Sequence, residues 1–129
     1  MIDRRFVGIP FADGAPSFKG ANCYTILQLV YKHELGIELP SYTIPAKYSN
    51  RVFINFLNTV ALNWDKVDEP EYLDVVAMAH DMARPNLIQH FGLYIGEGRI
   101  LHTLDKIGSH VSTVQKLKPF IKGYYKWRS

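Results

Sequence analysis

With 129 residues, 47% of them hydrophobic and 21% charged, the chain has the composition of one globular domain, spanning 1–129, and not of a disordered or repeat protein. A formal net charge of +3 is too mild for a nucleic-acid binder, and no apolar run approaches the roughly 20 residues that cross a bilayer. One cysteine excludes an internal disulfide and fits a compartment in which a thiol stays reduced.

The first six residues, Met1 to Phe6, carry charges but no apolar stretch or small-residue cleavage site behind them, so synthesis in a cytosol without a signal peptide is expected. Residues 7 to 20 hold three glycines and two prolines and read as an ordered loop that should cross the mouth of any site at the next helix. That helix is announced by Asn22, a good N-cap, with Cys23 at its first position. Ile26, Leu27, Val30, Tyr31 and Leu35 then recur at helical spacing, and Gly36 stops the run. A second helix fits Ser49 to about Trp64, with Val52, Phe53, Phe56, Leu57, Val60 and Ala61 on one face. Asp65 to Glu71 reads as an acidic connector.

From there the period changes. Tyr72 to Met78 has the character of a buried strand, and His80 to Asn86 that of a turn. His90 to Thr103 reads as two strands around Gly96-Glu97-Gly98. With a three-residue loop, Ile95 pairs with Arg99 and Gly92 faces His102, so His90 and His102 share a sheet face as diagonal neighbours about 7–8 Å apart. With a two-residue loop they fall on opposite faces. Val111 to Ser129 gives one more strand and a basic, aromatic tail in which a solvated final strand explains Lys116, Lys118, Lys122, Lys126 and Arg128. Helices followed by short strands amount to an α+β fold with an antiparallel sheet.

Cys23 is the residue with chemical potential. A thiol at a helix N-terminus lies among free N–H groups and at the positive end of the dipole, which lowers its pKa below the free value of about 8.5. The alternative is that a lone cysteine is a small buried hydrophobe. Thiol catalysis needs a base at the sulfur and a third group that holds the base in the right tautomer. Cys23, His90 and His102 can fill those roles. His33 reads as part of a solvated helix face, and His80 and His110 sit in turn-like contexts.

Gly20-Ala21-Asn22-Cys23-Tyr24-Thr25-Ile26-Leu27, Leu35-Gly36-Ile37-Glu38-Leu39-Pro40, Asp74-Val75-Val76, His90-Phe91-Gly92-Leu93-Tyr94-Ile95-Gly96 and Leu101-His102 together resemble the NlpC-type cell-wall cysteine peptidases in order and spacing. The likeness runs from Gly8 to about His102, and the Ile-Pro-aromatic segment before the cysteine and Gly123-Tyr124-Tyr125 bring it closest to the branch associated with phage tails. It implies a papain-like fold and a Cys-His-polar triad that needs no metal or other cofactor and cleaves amide bonds in peptidoglycan stem peptides. Carried over, Cys23 is the nucleophile, His90 the base and His102 the orienting residue. The likeness further implies a tail-hub or tail-tip partner that delivers the domain, and a protein made in the host cytoplasm and assembled into the virion tail tip. No nucleic-acid partner and no membrane segment are expected.

Three departures from the family pattern stand out. Asn22 replaces an aspartate and brings no charge. Thr25 replaces a glycine and should narrow the cleft beside the thiol. Phe11 falls where a tyrosine often stands near the developing oxyanion, and it has no hydroxyl to donate. An alternative reading is therefore a structural tail-tip or tail-assembly module of the same fold with little or no activity.

Overall fold

The described residues of the computed structural model are 2–40, 63–79 and 90–128. Helix α1 (Thr25–Leu35) buries Ile26, Leu27, Leu29, Val30 and Tyr31, as its apolar spacing requires, and ends at Gly36 in the left-handed conformation (φ 67°). The strands are β1 (Trp64–Val67), β2 (Val75–Met78), β3 (His90–Tyr94), β4 (Arg99–Leu104), β5 (Gly108–Thr113) and β6 (Ile121–Trp127). Between β5 and β6 lie a four-residue helix, α2 (Val114–Leu117), and a 3₁₀ turn at Lys118–Phe120.

These strands form one sheet in the order β1-β6-β2-β3-β4-β5, with every neighbouring pair antiparallel. Alternation along the strands divides the apolar residues between two faces. Val75, Ala77, Phe91, Leu93 and Leu101 join Ile26, Leu27, Val30 and Tyr31 of α1 in the main core. Val76, Met78 and Ile100 cluster on the other face with Leu117 of α2, flanked by Tyr94, Val114, Phe120 and Tyr124. An α+β fold with an antiparallel sheet is thus what the chain adopts.

The β3–β4 hairpin has the expected three-residue loop. Ile95 N donates to Arg99 O at 2.9 Å, and Gly92 pairs with His102. The N-terminal segment then covers the free edge of β5: Gly8 N donates to Ser109 O and Ser109 N to Ile9 O, both at 2.8 Å. Edge strands left open invite pairing with other chains, so this cover has a protective effect.

Three sequence expectations need correction or qualification. Asn63 is helical and Trp64 begins β1, paired with Trp127, so the second predicted helix stops one residue short of Trp64; its residues 49–62 lie outside the described residues. Asp65 to Val67 belongs to β1 and not to a connector, since backbone pairing with β6 outweighs the poor strand propensity of Asp65 and Lys66. The C-terminal segment is a final strand whose Lys122 is exposed, but it is an interior one: β6 lies between β1 and β2, with Gly123 and Tyr125 buried.

Candidate active site

Asn22 and Thr25 build the end of α1 on which the cysteine sits. Asn22 Oδ1 accepts from Tyr24 N (2.9 Å) and Thr25 N (2.8 Å), while Thr25 Oγ1 accepts from Asn22 N (2.7 Å). This is a reciprocal capping box, and Ile26 N donating to Asn22 O at 3.1 Å closes the first turn around Cys23. Regular helix begins only at Thr25, two residues after the cysteine, yet the bonds place Asn22 as the cap and Cys23 as the first residue inside it. Thr25 is buried with its hydroxyl turned back to the Asn22 backbone, so it completes the cap where a narrowed cleft was expected. Asn22 also recruits a charge: its Nδ2 donates to Asp13 Oδ1 at 3.2 Å.

The Cys23 sulfur meets the backbone N–H of Phe91, the residue after His90, together with the N–H groups of Cys23 and Tyr24. These three donors favour a thiolate, but they do not win. Burial pushes the thiol from 9.0 up to about 11, and the carboxylate of Asp13 adds to the rise. The expected lowering by the helix terminus is therefore overturned. Desolvation of the charged form exceeds what a short stretch of N–H dipoles returns, and the resting group is a neutral thiol at pH 7.

His90 opens β3, directly paired with Met78 of β2, and is 6% exposed. His102 lies on β4, opposite Gly92, and is 1% exposed. Their rings share a face, as the three-residue loop requires, and His90 Nε2 stands 2.9 Å from His102 Nδ1. Gly92 lies between the two histidines on their shared face. A Cβ there would come within 2.7 Å of Ile100 Cγ2, 3.1 Å of Leu101 O and 3.2 Å of His102 Cβ, crowding the backbone and Cβ that carry the His102 ring.

The polar chain continues past His102. Its Nε2 lies 2.9 Å from Ser112 Oγ on β5. His110, paired with His102 across the ladder, brings its ring to 4.3 Å between centroids, with Nδ1 donating to Gly108 O at 2.9 Å. Neither Ser112 nor the setting of His110 is foreseeable from sequence, because Gly108–Thr113 lacks an apolar run and its register depends on a partner strand. The Asx-x-x-Thr spacing of Asn22 and Thr25, by contrast, is a signal that identifies the capping box.

Phe11 is half-buried and its backbone bridges to Ala21, two residues before the cysteine. His33 is exposed and packs its ring edge-on against Phe18 at 4.9 Å, away from the cysteine end of α1. His80 lies outside the described residues. Among the described residues no group of three or more His, Cys, Asp or Glu side chains is arranged to hold a metal ion.

Comparison with solved structures gives the same fold. The NlpC/p60 domain of the peptidoglycan hydrolase SagA superposes with a TM-score of 0.64 at 17% identity, covering 95% of this chain and 90% of that one. A lipoprotein-like NlpC/p60 protein of Staphylococcus aureus gives 0.62 at 19% identity, and NlpC1 of Trichomonas vaginalis 0.61 at 18%. They cover 95% and 93% of this chain, which spans only 38% and 40% of theirs. No curated protein matches the sequence. The sequence model of the NlpC/P60 family matches residues 8–126, from the loop ahead of the cysteine through β6, and on that match the chain belongs to the NlpC/P60 family.

Proposed function

We propose that this protein is a cysteine peptidase that cleaves amide bonds in the peptide stems of peptidoglycan, with Cys23 as nucleophile, His90 as base and His102 as its orienting partner. The observation that carries this reading is the 2.9 Å contact of His90 Nε2 with His102 Nδ1, on the strand whose Phe91 N–H meets the Cys23 sulfur. That contact engages Nε2 of His90, so Nδ1 is the nitrogen that takes the thiol proton. Because the resting thiol is neutral, the proton moves as Sγ attacks the carbonyl carbon. The oxyanion is received by backbone N–H groups at Cys23, and collapse breaks the C–N bond as Nδ1–H protonates the departing amine. Water, deprotonated by the same nitrogen, then hydrolyses the thioester to a carboxylate and restores the thiol.

The substrate class is supported by SagA, which is described as a peptidoglycan hydrolase, and by family membership. The likeness of the Ile-Pro-aromatic and Gly-Tyr-Tyr segments to tail proteins supports the finer reading: a domain made in a host cytoplasm and delivered in a phage tail tip by a hub partner. A second reading, a tail-tip module kept for its contacts, is favoured by Phe11 and by the protonated thiol. Incubation of the protein with purified sacculi, with Cys23→Ala as the blank and mass spectrometry of released peptides, decides between them. Stem fragments above the blank support the peptidase, and none on any peptidoglycan chemotype supports the module. Co-purification with a tail hub from intact particles tests the assembly reading, and its absence from particles would remove it.

A further inference from the structure

A base at His90 Nδ1 requires one defined direction of proton donation along the His90–His102 pair. For Nδ1 of His90 to accept a proton, the ring proton must reside on Nε2 and be donated to a bare Nδ1 of His102. His102 must then carry its own proton on Nε2, which needs an acceptor. Ser112 Oγ, 2.9 Å away, stands where that acceptor is required. The opposite arrangement, with the proton on His102 Nδ1, forces His90 into the tautomer whose Nδ1 is already occupied and cannot act as a base. A buried imidazole in the wrong tautomer is a costly error in a triad, worth about 10⁴ in rate where an orienting group was changed.

We propose that Ser112 is a positioning residue: its hydroxyl oxygen accepts the His102 Nε2 proton in the one arrangement of the imidazole pair that leaves His90 Nδ1 bare, and so supports the form of His90 competent to take the thiol proton. The proposal rests on the catalytic reading of Cys23 and His90, but it makes a claim about proton positions that stands without turnover. His110 does not compete for the role, since its ring packs against His102 while its Nδ1 is committed to Gly108 O. Ser112 is half-exposed and its substitution removes little packing, so the effect of losing it is separable from unfolding.

Two readouts test this. ¹⁵N NMR of histidine-labelled full-length protein reports which ring nitrogen carries the proton. In the wild type His102 and His90 should both be Nε2–H, in Ser112→Ala both should become tautomer mixtures, and in Ser112→Thr the wild-type pattern should return. In stem-peptide hydrolysis Ser112→Ala should lower kcat by about tenfold or more at nearly constant KM, with Ser112→Thr close to wild type. An Nδ1–H His102 in the wild type, or tautomers and kcat both unmoved in Ser112→Ala, would overturn the assignment. If the tautomers behave as stated while no protein exceeds the Cys23→Ala blank, Ser112 retains its positioning role and the peptidase reading is what fails.

Discussion

Gly92 and His102 face each other across the β3–β4 ladder so closely that a side chain on the first would press on the Cβ of the second. An alanine methyl at Gly92 would meet Ile100 Cγ2 at 2.7 Å and His102 Cβ at 3.2 Å. Gly92→Ala should therefore cost about 1–3 kcal/mol, as overpacking of a filled interior does, and should move the imidazoles apart. Denaturant unfolding measures the first effect. Loss of hydrolysis at a temperature where the variant is still folded measures the second.

The state of the thiol gives a pH prediction. The folded protein holds the Cys23 proton more tightly than an ordinary thiol, whose value of 9.0 is raised to about 11 by burial. The alkylation rate with iodoacetamide should accordingly climb toward a midpoint near 11. A pKa raised on folding preserves stability below the unfolded value and loses it as pH rises through the folded one, so unfolding free energy should fall between about pH 9 and 11. Cys23→Ala should flatten that decline.

Asp13 contributes to the same balance, because its carboxylate raises the cost of ionising the sulfur. In Asp13→Asn the alkylation midpoint should move down. Asn22→Asp should move it up, since it replaces the amide that donates to Asp13 Oδ1 with a second carboxylate beside the first. A midpoint that fails to move down in Asp13→Asn would mean that Asp13 does not act on the thiol.

The capping box should be measurable as stability. Asn22→Ala removes the acceptor of the Tyr24 and Thr25 N–H groups, and Thr25→Ala frees the Asn22 N–H. Each should cost about 1 kcal/mol, and a double-mutant cycle should show coupling because the two halves of the box are one unit. Additive losses would show the two bonds to be independent.

Phe11 stands two backbone hydrogen bonds from the cysteine segment, with Ala21 N donating to Pro10 O and Ala12 N to Ala21 O, both at 3.1 Å. If it occupies the place of an oxyanion donor, Phe11→Tyr should raise kcat about tenfold with KM nearly unchanged, the pattern of a contact made only in the transition state. Steady-state kinetics against the Cys23→Ala blank checks this.

Much of the site is legible in the sequence, because it depends on short-range rules. The twelve-residue interval from His90 to His102, folded about Gly96-Glu97-Gly98, determines that both rings share a face once Ile95 pairs with Arg99. Asn22 and Thr25 are three residues apart, and a cap is decided within one turn. What stayed hidden depends on partners distant in the chain. Ser112 meets His102 only because β5 pairs with β4, and Gly108–Thr113 has too few apolar residues to announce a strand. β1 carries Asp65 and Lys66 and becomes a strand only when β6 arrives beside it. The state of the thiol is not legible either, because a sequence shows a helix dipole but not the desolvation that opposes it.

The position of β6 has a consequence for how the molecule comes into being. It enters the sheet between β1 and β2, joining Trp64 to Trp127 on one side and Val75 to Tyr125 on the other. A ribosome delivers Cys23, His90, His102 and Ser112 before it delivers any of Ile121–Trp127, so the chemistry is made first and the keystone of its support last. Pairings between such distant residues form slowly. Among the described residues β1 and the β2–β5 block share no strand until that moment, and a nascent chain halted before Ile121 carries every candidate catalytic group on an unfinished sheet.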